Sequence, residues 1–426
     1  MEELANKKTF RNYLFFWSGQ LFSLFGSSII FFALIWWITV ETGDPVILAL
    51  ATFLRILPMT IFLPIAGVFS DKLNRKKLII IADASQAFIT FLLILSFLFG
   101  FANIWIILII ISLRSICQAF HIPTVNAIIP SMVPEERLTL INGINFLFTG
   151  IVGIFAQLIA AILWIIFPID LILWVDIVTF FIALVPLLMI KIPSVIKETA
   201  KNGMVQKNSF LKDLRLGFKI LFTIPGLLVL MFVGMITNFL IRPLVTLLPL
   251  FVNQIHGGET AHYALTLAFL HGGTIIGALT TSIKKNWPHK IRIIFASTLI
   301  IMVGYVSIAL SPRGWFSMIF VSGIIVGITM PIINSLFQTF MQTVVPKDKL
   351  GRVTSIDWFL SNLMSPLGVI ISGPLALFLG IPSLFFYSAI VGLIVTLSLW
   401  FFTNVRKLNY DDADKNRELE EKLNNI

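Results

Sequence analysis

A single cysteine, Cys117, stands in 426 residues. It excludes an intramolecular disulfide and any cysteine-based metal cluster. Charge is almost as scarce: Asp, Glu, Lys and Arg make up 12% of the chain, about half of what a soluble domain carries. The sequence has no Gly-x-x-x-x-Gly-Lys-Ser/Thr loop to cradle a nucleotide. It also has no His-Glu-x-x-His run and no paired Asp-rich motif, so neither an enzyme nor a cofactor is expected. The first apolar stretch is too long for a cleavable signal peptide and lacks a small-residue cleavage site, so none is expected.

What is abundant is apolar. Hydrophobic residues reach 58%, and the mean hydropathy is +0.96. Runs of about 20 apolar residues span a bilayer as helices, whereas barrel strands alternate polar and apolar residues. These runs are apolar all round, so the chain reads as an all-α, polytopic membrane protein. Twelve spans are predicted, near 14–40, 46–69, 78–100, 103–129, 138–167, 169–190, 226–252, 261–283, 291–311, 315–343, 353–380 and 383–403. The net charge of +10 then finds its explanation. With the N-terminus inside, every Lys and Arg lies in an inner segment except Arg313, in an outer loop, and Arg55, Arg114 and Arg242, within spans. That is the positive-inside bias of a multi-pass cell-membrane protein with both termini cytoplasmic. It encodes topology, and no nucleic-acid partner is implied.

The longest polar interval follows the sixth span and divides the chain in two. The expected organisation is an N-terminal six-helix half (1–190), a cytoplasmic linker (191–219), a C-terminal six-helix half (220–403) and a charged cytoplasmic tail (404–426). In the linker, Phe210, Leu211, Leu214 and Phe218 share one helical face, the pattern of a short helix lying on a membrane surface. The halves resemble each other. "VPEERL" at Val133–Leu138 follows the fourth span and "VPKDKL" at Val345–Leu350 follows the tenth, as duplication of a six-helix unit would leave them. Parallel halves of this kind build one large transporter fold.

One loop stands out. "GVFSDKLNRKK", Gly67–Lys77, sets an acid ahead of four cations between two apolar spans. Gly67, Asp71, Lys72, Arg75, Lys76 and Lys77 resemble the loop motif of the major facilitator superfamily, with Asn74 where that family usually has Gly. Asn tolerates a left-handed turn best among the other residues, and Gly67 is expected to allow close helix approach. The resemblance implies two pseudo-symmetric six-helix halves and a latch that holds them together in one state of the cycle. Arg114, Gln118, His121 and Pro123 in the fourth span, with "VDIVTFFIALVPLLMIKIP" and "IADASQA", are similar to the macrolide-efflux branch of drug:proton antiporters. The fifth-span antiporter motif is met only in part, by Gly143, Gly150 and Gly153. "SNLMSPLGVIISGP" in the eleventh span looks more like it.

Each charge inside a span costs about 2.5–3.5 kcal/mol on insertion scales and so needs a reason. The resemblance gives Arg114 the role of the basic residue of proton-coupled members. Asp176 lies deep in the sixth span, with Arg114 and Arg55 as possible partners, and is the expected proton carrier. Asp83 and His271 are further candidates for proton coupling. Asp83 and Asp357 lie nearer inner span ends, where the loop cations are potential partners. Gln20, Arg55, Gln118, Asn145, Asn238 and Arg242 are expected to line a cavity. Trp36, Trp37, Trp105 and Trp315 fall at span ends, as interfacial anchors do. The function these features imply is secondary active transport, with proton-coupled efflux of amphipathic drugs such as macrolides by alternating access. A lipid or lipid-precursor translocator on the same fold is the alternative. The expected partners are a small amphipathic substrate, protons and membrane lipids, and the protein is expected to act as a monomer. Cysteines introduced at Lys201 and Arg313 are expected to label from opposite sides of the membrane. Labelling from one side would break the twelve-span topology.

Overall fold

Among the described residues, twelve helices are long and apolar enough to cross a membrane. The structure is a computed structural model that describes residues 6–192, 219–284 and 286–408. The first six helices are α1 (Lys7–Thr42), α2 (Pro45–Lys72), α3 (Arg75–Leu98), α4 (Ile104–Met132), α5 (Glu135–Ile166) and α6 (Ile169–Met189). The next six are α7 (Leu227–Leu250), α8 (Thr260–Ile283), α9 (Lys290–Ala309), α10 (Phe316–Val344), α11 (Lys347–Leu379) and α12 (Ile381–Phe402). A π-helical turn, Phe251–Ile255, extends α7. Every predicted span falls on one of these helices. The surface helix expected within the linker lies outside the described residues, as does the tail beyond 408.

Local chemistry sets the helix ends. Gly43 adopts φ 60° to close α1. Asp44 then accepts from Val46 N–H at 2.7 Å and opens α2, with Pro45 at the first helical position, where its missing N–H costs nothing. Asn103 caps α4 in the same way through Ile106 N–H. Val133 and Pro134 turn the chain from α4 into α5 at φ/ψ −104°/126° and −56°/143°. Val345 and Pro346 turn it from α10 into α11 at −92°/127° and −54°/142°. The repeated Val-Pro pair is therefore a repeated backbone corner.

Packing divides the chain into two compact units, Met1–Gly203 with Gly258–Ala268, and Met204–Gly257 with Phe269–Ile426. The segment Gly258–Ala268 departs from the simple division at the linker. Tyr263, in the first turn of α8, stacks on Phe32 and Trp36 of α1 with centroids 5.0 and 5.6 Å apart. Trp36 is thus a core residue, 2% exposed, and not an interfacial anchor. Trp105 and Trp315 are exposed, as anchors must be. Within the first unit α3 packs on α4 and α6, and α1 packs on α5 and α6. The second unit repeats the pattern with α9 on α10 and α12, and α7 on α11 and α12.

The two units close their equivalent helix crossings differently. In the second, Gly273 and Gly277 form a Gly-x-x-x-Gly face on α8. A Cβ on either would collide with a carbonyl oxygen of α10, that of Ile324 or Ile328, and Gly327 needs the same freedom against Leu270. Without a hydrophobic drive between helices in lipid, such backbone contact is a main source of association. In the first unit, α2 meets α4 through a repaired break. Pro58 lies inside α2, where proline opens the hydrogen-bond ladder. The Ser115 hydroxyl of α4 fills the gap, accepting from Met59 N–H at 3.1 Å and donating to the Arg55 carbonyl at 2.5 Å.

Outside the spans, His256 holds the turn between α9 and α10. Gly314 N–H donates to its Nδ1 at 3.2 Å. The Ser311 hydroxyl donates to the Ile308 carbonyl, so its oxygen is left to accept from His256 Nε2–H, 3.1 Å away. The imidazole must be neutral for both bonds, and burial lowers its pKa from the ordinary histidine value. The unfolded chain therefore binds the proton more readily than the folded one. Stability from this turn is complete above about pH 6.5 and is lost as pH falls through the folded value. The protection factors of the amides across Leu310–Trp315, which divide out the intrinsic pH dependence of exchange, are expected to fall on acidification in the wild type and to lose that dependence in His256→Gln.

Candidate functional site

The polar residues of the first unit gather in two buried clusters, and the helix surfaces explain how. Gly19 and Gly26 of α1 face α6. A Cβ at Gly19 would lie 3.0 Å from Pro186 Cγ, and one at Gly26 would overlap the Thr179 side chain. This close approach brings Ser27 within 3.2 Å of Asp176 Oδ1. Thr90 of α3, fully buried, donates to Asp176 Oδ2 at 2.6 Å. Arg114 of α4 completes the shell. Its Nη1 contacts Asp176 Oδ2 and Thr90 Oγ1, and its Nη2 lies 3.2 Å from Asp176 Oδ1. The pair is a two-pronged fork, the strongest geometry an arginine and a carboxylate can adopt. Nη1 also reaches the Gln86 carbonyl at 3.3 Å.

The second cluster joins α1, α3 and α4. His121 Nε2 lies 2.8 Å from Gln20 Oε1 and 3.3 Å from Asp83 Oδ1. Asp83 is 6% exposed and Gln20 8%. His121 Nδ1 and Gln20 Nε2 are buried without a hydrogen-bond partner. The expectation that Asp83 serves the loop cations is corrected here, because the ionisable side chain it meets is that of His121.

The loop cations have other work. Three cations at the start of α3 oppose its dipole, so they reach toward the negative ends of neighbouring helices. Arg75 Nη1 donates to the Ala127 carbonyl near the end of α4 at 2.7 Å. Lys76 Nζ donates to the Leu188 and Ile190 carbonyls at the end of α6, both at 2.7 Å. Two further expectations change. Asn74 is not in a left-handed turn: at φ −64° it caps α3, accepting from Lys77 N–H. Gly67 has open space where a Cβ would sit, so close packing does not require it. The Asp71 side chain lies outside what the structure describes.

The remaining candidates are scattered. Arg55 is not the second base of the Asp176 pair; its guanidinium lies 3.4 Å over the Phe31 ring, a cation–π contact. Asn145 donates to the Tyr13 hydroxyl at 3.4 Å. Gln118, Asn238 and His271 are half-buried. Arg242 packs against Gly368 and keeps a buried, unpartnered Nε. Ser27, Thr90 and Ser115 were not singled out from the sequence. Their only signal there is a hydroxyl at the depth of a buried charge or a proline.

Twelve spans in two similarly packed six-helix units, with charges paired inside the membrane in the first of them, define a polytopic membrane protein. A family model described as Major Facilitator Superfamily matches residues 16–369, and the chain belongs to that family of secondary transporters. It is 28% identical over 395 residues to macrolide efflux protein A of Streptococcus pyogenes, covering 92% of this chain and 96% of that protein. It is also 28% identical to macrolide efflux protein A of Enterococcus faecalis, over 77% of this chain and all of the other. Among solved structures, a bacterial homologue of the human lysosomal transporter Spinster superposes with a TM-score of 0.69. It is 15% identical, over 93% of this chain and 97% of that one, and shares the fold.

Removing one partner of a buried ion pair strands the other charge, at a cost of about 3–5 kcal/mol. Arg114→Gln is therefore expected to lower the thermal stability of the purified protein sharply, and Arg114→Gln with Asp176→Asn to recover most of it. A double variant no more stable than the single would show that the pair is not what holds these helices.

Proposed function

We propose that the protein exports amphipathic small molecules, macrolides among them, by alternating access driven by the proton gradient. The observation that carries the reading is the end-to-end similarity to macrolide efflux proteins, which spans both six-helix units. The buried acids of the first unit supply the chemistry that coupling needs. A carrier must hold a charge in the membrane in one state and neutralise it in another, and arginine cannot do so because it stays protonated. Arg114 therefore serves as a fixed counter-charge to Asp176. The fork, with Ser27 and Thr90 completing the carboxylate shell, ties α1, α3, α4 and α6 into one body that can move as a unit in a rocking cycle. Gln20, Gln118, Asn145 and Arg55 in this unit, and Asn238, Arg242 and His271 in the other, are the polar candidates for substrate contact. The Gly67–Lys77 loop is proposed as the cytoplasmic latch, with Arg75 and Lys76 anchoring it to α4 and α6. Such a protein acts as a monomer in the cell membrane, with both termini in the cytoplasm, and its expression confers macrolide resistance.

The test is reconstitution into liposomes with radiolabelled erythromycin and an imposed pH gradient. Erythromycin is expected to move against its own gradient when protons move down theirs, and to stop when an ionophore collapses the pH difference. Movement that follows only the erythromycin gradient would remove proton coupling, and no movement at all would remove the macrolide.

A further inference from the structure

We propose that Asp83, His121 and Gln20 form the reversible proton-binding site of the first unit, while the Asp176–Arg114 fork is a fixed structural pair. This rests on the proton-coupled reading above and assigns the proton to particular atoms.

Charge arithmetic separates the two clusters. Asp176 and Arg114 are neutral together, and the carboxylate already accepts from Ser27, Thr90 and both arginine prongs. Adding a proton there would displace satisfied donors and leave a net positive charge inside the membrane, which is strongly disfavoured. Asp83 with a neutral His121 carries a net negative charge, and one added proton brings the cluster to zero. The geometry leaves room for that proton. His121 Nε2–H is shared between Gln20 Oε1 at 2.8 Å and Asp83 Oδ1 at 3.3 Å, whereas Nδ1 has a lone pair and no partner. A hydronium gives its proton to Nδ1, an N–H bond forms, water is released, and the imidazolium is balanced by Asp83. Deprotonation reverses each step.

Gln20 accommodates either form. Its Oε1 faces a nitrogen that carries hydrogen, while its Nε2 is buried and turned toward the Asp83 carboxylate. Turning the amide over would present a donor instead, should Nε2 be the nitrogen that loses its proton. The other ionisable groups acting on the cluster are Cys117 and Asp176, which interact with Asp83, and Arg114, which interacts with Cys117. From α2, Arg55 acts on Arg114.

The experiment has two arms. In the first, ¹⁵N-histidine NMR of the full-length protein in lipid nanodiscs assigns His121 by the signal missing from His121→Gln. That signal is expected to respond to pH as the ring gains its proton, to move in Asp83→Asn, and to stay in place in an Asp176→Asn/Arg114→Gln double variant. A signal that does not titrate, or one indifferent to Asp83→Asn, overturns the proposal whether or not the protein transports macrolides. In the second, Asp83→Asn and His121→Gln in liposomes are expected to lose uphill erythromycin movement under a pH gradient while retaining downhill exchange. Uphill movement persisting in Asp83→Asn overturns the proposal and leaves proton-coupled efflux standing. Failure of the wild type to couple would instead strike the functional reading.

Discussion

Inside a bilayer there is no water to satisfy a donor, an acceptor or a charge, so each must find its partner within the protein. The placement of polar side chains in the first unit follows from that constraint. One carboxylate in α6 draws a hydroxyl from α1, a hydroxyl from α3 and a guanidinium from α4, so four helices share a single electrostatic centre. Hydrogen bonds to a charged group contribute about 1.5–3 kcal/mol each, enough for two small hydroxyls to matter. The glycines of α1 belong to the same solution, because Ser27 reaches Asp176 only where α1 can lie close on α6.

The units meet this constraint in different ways. Among the described residues, the first holds the ion pair between Arg114 and Asp176 and the contact between Asp83 and His121. The second joins α8 to α10 by backbone contact at Gly273, Gly277 and Gly327, and leaves the Arg242 Nε without a hydrogen bond. The two units share the helix order and the Val-Pro corners, but not the chemistry between helices. The pairing of α2 with α4 depends on a serine, and that of α8 with α10 on missing side chains.

The spans could be read from the sequence because hydropathy and length alone decide them, and the Val-Pro repeat because a corner has a fixed residue requirement. Asp176 and Arg114 were legible as deep charges of opposite sign. Which base Asp176 would choose was not, since Arg55 and Arg114 lie at similar depths and only helix rotation separates them. Asp83 was misread for a related reason. Counting residues gives depth, not facing, and His121 one helix over was nearer than any loop cation. Asn74 was read through the turn that a glycine in its place would make, although the same residue caps helices equally well. Lys76 could not be placed at all, because its partners are carbonyl oxygens and every residue has one.

Ser115 has a mechanical consequence. At Pro58 the hydrogen-bond ladder of α2 is interrupted, and the gap is spliced by a hydroxyl that belongs to another helix. A joint of that kind transmits tension only while the neighbour stays in register. Sliding α4 along α2 by one turn would withdraw the splice and let α2 bend at Arg55–Met59, which would tilt Arg55 away from Phe31. The serine is therefore a coupling pin. It makes the orientation of the Arg55 guanidinium over Phe31 depend on the axial position of the helix that carries Arg114 and His121.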